Sequence, residues 1–173
     1  DGAPNGVLLE KAHEFVTSAA PAPTTEQMVE AILRAGESMS FFGITTATDM
    51  MTGRWNLAQE LEAYRLASER GGKIRLRLFV QWADVLGSRA IDPGLFAELQ
   101  SAMNPQRCKV LGLKVFADGA IGSATAAIKS KFLTTGGQGQ LIYPEAKLAE
   151  IIASIDAAGY SCAVHTIGDH STD

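Results

Sequence analysis

The chain has 173 residues, 46% of them hydrophobic, and a formal charge of −4 at pH 7. That length can bury one substantial core, whereas a closed eight-unit βα barrel takes about 250 residues. The acidic balance, without any run of lysine or arginine, argues against a phosphate-backbone surface, and no apolar run approaches the ~20 residues of a membrane helix, so neither nucleic acid nor membrane is expected as a partner.

In chain order, Asn5-Gly6 signals a turn, and Leu8, Leu9, Ala12, Phe15 and Val16 recur at helical spacing, which predicts a short helix over 7–16. Pro21 and Pro23 end it. Thr24 and Gln27 have the form of a capping box, opening a second helix that runs to about Phe42, with Gly43 as its stop. The β-branched run Ile44–Thr48 predicts a strand closing on Asp49. Residues 54–70 are amphipathic through Leu57, Leu61, Tyr64 and Leu66, and Gly71-Gly72 terminates this third helix. A strand over 73–82 alternates at its start and turns wholly apolar later, as expected of a strand that enters a core from a wet rim. Asp92-Pro93 opens a helix to about Met103, with the aspartate as cap and proline at the first helical position. A third strand covers 109–117, a long Gly/Ser/Thr-rich loop 118–143, a last helix Pro144 to Gly159, and a fourth strand Tyr160–His165. Loops of that length inside a compact domain are usually functional or mobile. Strands alternating with helices at this spacing imply parallel βαβ units, either in an open doubly wound sheet or in an arc of a barrel. Cys108 and Cys162 form no Cys-x-x-Cys pair and read as two buried, reduced thiols, so the expected setting is the cytoplasm. The chain begins at Asp1 without methionine and stops at Asp173, just past its last motif, and so reads as a piece of a longer protein.

The stretch from Val110 to Ser123 runs an apolar strand into a glycine-broken loop while carrying Lys114 among core residues. An ammonium leaves water only if it is paired, neutralised or modified. With Gly112, Phe116, Asp118 and Gly119 at their spacing around Lys114, and with His165, Ile167, Gly168 and Asp169 further on, the chain resembles the amidohydrolase superfamily. The resemblance is to its amidohydrolase-3 branch of metal-dependent deacylases and deformylases. There the two motifs read roughly Gly-x-Lys-x-Phe-x-Asp-Gly-Ser at the end of the fourth barrel strand and His-Ala-Ile-Gly-Asp at the end of the fifth. Here Ala120 stands for the serine and Thr166 for the second motif's alanine.

The resemblance implies an α/β fold: a partial TIM-like (βα) barrel of about four parallel strands, the family's second to fifth, with flanking helices. Residues 1–173 would then be a fragment of one barrel domain. In such a barrel the working groups stand where strands end, which points to Asp49, Trp82, the segment 114–118 and His165. The resemblance makes Lys114 a metal ligand, carboxylated in many members, and His165 another. A carbamate turns an awkward cation into an anionic oxygen donor, and imidazole is a common zinc ligand. The alternatives are a lysine that snorkels to the rim or pairs with Asp118, and a satisfied core histidine. Asp118, Gly119, Ser123 and Asp169 are candidates for an outer shell or a substrate loop, with Asp169 alternatively capping the next helix. The implied activity is metal-dependent hydrolysis of non-peptide carbon–nitrogen bonds in the intact protein, with one or two divalent ions, zinc by preference, and a small amide-type substrate. Its first-strand His-x-His pair, a sixth-strand histidine and an eighth-strand aspartate would lie outside residues 1–173, so this piece alone is expected to be inactive and to hold metal weakly. The rival reading is an open α/β binding or regulatory module in which Lys114 and His165 are structural. Half a barrel would also leave open strand edges and an uncovered apolar face, which predicts self-association.

Overall fold

The computed structural model describes residues 6–8, 12–83 and 100–173. The helix expected over 92–103 therefore falls largely outside the described residues, as does Asn5 of the first turn. The chain divides into two compact units, one of residues 22–115 and 151–163, the other of residues 1–21, 116–150 and 164–173.

The first of these holds the sheet. Its strands are β1 (Thr46–Thr52), β2 (Arg75–Gln81), β3 (Cys108–Phe116) and β4 (Ser161–His165), the last residues of β3 and β4 passing into the other unit. They lie side by side in the order β1-β2-β3-β4 and run parallel. A doubly wound sheet reverses direction and places its first strand inside. Here β1 is at one edge and each later strand is added on the same side, the winding of a partial βα barrel.

Helix α2 (Thr25–Phe41) starts where the hydroxyl of Thr24 accepts from the Gln27 amide and the Gln27 side chain accepts from the Thr24 amide, so the expected capping box is present. Its apolar face meets that of α3 (Leu57–Glu69): Val29, Ala63 and Ala67 are fully buried, with Met28, Ile32, Leu33 and Leu66 packed around them. Burying a side chain such as Val29 contributes about 2 kcal/mol. Asn56 caps α3, which begins three residues later than the amphipathic pattern suggested, because Glu60 folds back beneath it. The Glu60 carboxylate accepts from the amides of Gly53 (2.7 Å), Trp55 (2.7 Å) and Asn56 (3.2 Å), drawing 53–56 into a turn before the helix.

Two irregularities shape the sheet. Between Asp49 and Thr52, β1 carries one residue more than the facing stretch of β2; the strand begins two residues later than the expected Ile44 and runs past Asp49 to Thr52. Asp49 is spent on this bulge. It accepts from the Met51 amide, the Thr52 hydroxyl and the Tyr64 hydroxyl at 2.7–2.8 Å. The second lies in β3, where Leu78 faces Val110 but Phe79 faces Gly112, leaving Leu111 over. Before it the buried side chains are Cys108 and Val110; after it they are Leu113, Val115 and Ala117. A one-residue slip exchanges the faces of a strand. The bulge thus moves Lys114 off the fully buried side.

The second unit contains α1 (Ala12–Thr17), the loop after β3, and the start of α4 (Glu145–Ala157). The loop is tied by backbone bonds from Ile142 to the Ala117 carbonyl, Ile128 to Gln138 and Gly136 to Phe132, each 2.8–2.9 Å. It is an ordered scaffold rather than a slack connection. Ile151 and Ile155, on the part of α4 that belongs to the sheet unit, are buried.

Candidate functional site

Lys114 stands in the sheet unit, half-buried, with Nζ donating to the Val115 carbonyl at 3.1 Å. Lys114 thus stands among core residues, as the sequence indicates, but the surplus residue at Leu111 leaves it partly accessible. Burial still lowers the pKa of its ammonium, an effect partly offset by the nearby Cys162. Cys162 is itself half-buried rather than enclosed, whereas Cys108 is inaccessible and its thiol is pushed up to about 11 by burial.

The other named residues lie in the second unit. Asp118 is completely buried and is the hub of its surroundings. One carboxylate oxygen accepts from the amides of Ala127 (3.0 Å) and Gly168 (2.8 Å), the other from the amide of Ile167 (3.1 Å). Burial opposes ionisation of this carboxyl, but the hydrogen bonds from Gly168, Ser171, Ala127 and Ile167 together outweigh it and hold the pKa below the usual aspartate range. The carboxylate thus fastens the loop after β3 to the turn after β4.

His165 ends β4 with its ring tilted against Phe116, centroids 5.3 Å apart. Its Nε2 lies 2.8 Å from the Gly119 carbonyl and 3.9 Å from the Asp118 carboxylate. A carbonyl oxygen can only accept, so Nε2 is the protonated nitrogen and the lone pair of the neutral ring resides on Nδ1. Metal-binding histidines are set up in the same way, with one ring N–H given to a carbonyl or carboxylate and the other nitrogen left to the ion.

Ser123 is part of a hydroxyl pair, its Oγ 2.7 Å from Thr125 Oγ1 and 3.3 Å from the Ala120 carbonyl. Asp169 is exposed and accepts from the Lys129 amide at 2.8 Å. That bond staples the loop to the turn after β4. Asp118, Gly119 and His165 are thus brought together, while Ser123 and Asp169 brace the loop around them. Among the described residues no three His, Cys, Asp or Glu side chains gather in one cluster. Thr125, which binds the Ala120 amide at 3.0 Å, had no signal in the sequence beyond its place in a polar loop.

Residues 1–173 match the family model described as the amidohydrolase family. The chain is 26% identical over 183 residues to Protein LONG AFTER FAR-RED 3 of Arabidopsis thaliana, an overlap covering 99% of this chain and 30% of that protein. It is also 26% identical over 171 residues to YtcJ of Bacillus subtilis (strain 168), covering 98% of this chain and 31% of that one. Among solved structures, an uncharacterized metal-dependent hydrolase from Pyrococcus horikoshii OT3 superposes with a TM-score of 0.67 at 22% identity, over 94% of this chain and 31% of that chain. The chain spans about three-tenths of the length of the relatives it matches.

Proposed function

Because the chain belongs to the amidohydrolase family, we propose that the whole protein is a metal-dependent hydrolase of non-peptide, amide-type carbon–nitrogen bonds. Residues 1–173 then form part of one barrel domain, and Lys114 and His165 are two protein donors to a divalent metal, zinc being suited to such nitrogen and oxygen ligands. The observation that carries this reading is the hydrogen bond from His165 Nε2 to the Gly119 carbonyl, which leaves Nδ1 as the ring's donor atom. Lys114 adds to it. Desolvation favours its neutral amine, the form that combines with carbon dioxide, releasing a proton, to give an anionic carbamate.

A divalent metal supplies a Lewis acid for the scissile carbonyl and acidifies water for attack. The residues of this chain contribute the rest by position. Phe116 holds one side of the imidazole, the Gly119 carbonyl keeps the Nε2 proton in place, and Asp118 joins the two segments on which these groups sit. A cytoplasmic setting accords with two free cysteines. No described helix is long and apolar enough to cross a membrane.

In the full-length protein, Lys114→Ala and His165→Ala are each expected to lower metal affinity by more than the roughly 10–100-fold typical of outer-shell partners, with parallel loss of hydrolysis. Elemental analysis of the purified variants checks this; wild-type metal content in both would overturn the assignment. Residues 1–173 expressed alone are expected to self-associate, since β1 and β4 form the edges of the described sheet and Met50 and Met51 on β1 are exposed. Light scattering over a dilution series that showed a monomer throughout would contradict this.

A further inference from the structure

We propose that Thr125 is a positioning residue for His165, acting through the peptide that joins Gly119 to Ala120; the proposal rests on the reading of His165 as a metal donor. That peptide is held at both of its polar ends. Its carbonyl receives the His165 Nε2 proton at 2.8 Å, and its N–H donates to Thr125 Oγ1 at 3.0 Å. Both groups belong to one rigid plane, so a rotation that releases one bond releases the other.

The Thr125 hydroxyl is itself fixed. It lies 2.7 Å from Ser123 Oγ, and the amides of Thr125 and Ala126 both donate to the Ala120 carbonyl, at 3.0 and 3.1 Å. Ala124 between the two hydroxyl residues takes a left-handed backbone with φ of 55°, uncommon for a residue with a Cβ. The turn 120–126 is therefore wound tightly enough to present one hydroxyl oxygen to one amide. A peptide flanked by Gly119 gains little restraint from its own side chains, and the anchor at Thr125 replaces it. The polar loop then acts on the imidazole through the backbone and selects the ring nitrogen that carries the lone pair. No atom of Thr125 needs to touch metal or substrate.

The test uses the full-length protein with ¹⁵N-labelled histidine, freed of metal, in alkaline buffer. Ring-nitrogen shifts of His165 are compared among wild type, Thr125→Val, which keeps the shape but removes the acceptor, and Thr125→Ser, which keeps the acceptor. Wild type and Thr125→Ser should show predominantly the Nε2–H tautomer, and Thr125→Val a mixture of both. Zinc affinity should fall about tenfold in Thr125→Val and be restored in Thr125→Ser. Unchanged ring shifts in Thr125→Val would overturn the proposal. A shifted tautomer in Thr125→Val, found together with no zinc uptake by the wild type, would uphold the positioning role and defeat the reading of His165 as a ligand.

Discussion

Replacing Asp118 by alanine is expected to cost the protein at least about 2 kcal/mol, because each buried N–H left without its acceptor costs about 1–3 kcal/mol and three amides lose theirs together, two of them buried. Those amides belong to Ala127, Ile167 and Gly168. Asn is a poor substitute. Every partner of this carboxylate is a donor, and an amide side chain would turn its own NH₂ toward at least one of them. Asp118→Asn should therefore lose about 2 kcal/mol in urea denaturation at neutral pH. The pH dependence follows from the direction of the shift. The folded-state pKa lies below that of an unfolded aspartate, since the hydrogen bonds to the ionised form exceed the opposing effect of burial. Its contribution is thus complete above the unfolded value of about 3.9 and is lost as pH falls through the lower, folded value. Wild-type stability should decline over that acid range, and the decline should be shallower in Asp118→Asn. Parallel acid profiles for the two proteins would show that the carboxylate is not the group that binds these segments.

Gly112→Ala is expected to be comparably severe. A Cβ built there would lie 1.8 Å from the Ser161 carbonyl oxygen, 2.6 Å from its carbon and 3.0 Å from the Phe79 ring. The first two belong to the backbone of β4. They cannot yield without drawing β4 away from β3, so the strain exceeds what a rotamer change could absorb, and a loss of more than about 3 kcal/mol follows. Gly122→Ala is the control, for nothing lies within 4 Å of its added methyl. It should stay within about 0.5 kcal/mol of wild type. Thermal and chemical denaturation of the two variants make the comparison, and equal stabilities would mean that β3 and β4 do not approach as closely as described.

The sequence by itself determined the local elements and the family. Helix α2 was legible because the Thr24–Gln27 capping box lies within four successive residues, and α3 because Leu57, Leu61 and Tyr64 repeat at helical spacing; signals of this kind need no distant partner. The two motifs around Lys114 and His165 were likewise contiguous, and they carried the amidohydrolase resemblance that the family match bears out. The sheet order was not legible from pattern. Alternating strands and helices suit a doubly wound sheet as well as a barrel arc, and only the pairing of β1 at the edge, with β2, β3 and β4 added in turn, separates them.

Tertiary structure also decided what the motif residues do. Asp118 is bound by amides of residues as much as 50 positions away, which no local pattern encodes, and only the folded chain shows it as the hub of the loop unit. The accessibility of Lys114 was decided by one surplus residue. Simple alternation from Cys108 and Val110 would carry an even-numbered lysine to the buried face, and Leu111 reverses the phase so that Leu113 and Val115 take the core and Lys114 does not. Side-chain direction along a strand has a period of two, so a single bulge, set by how β3 packs between its neighbours, overrides everything the preceding residues imply.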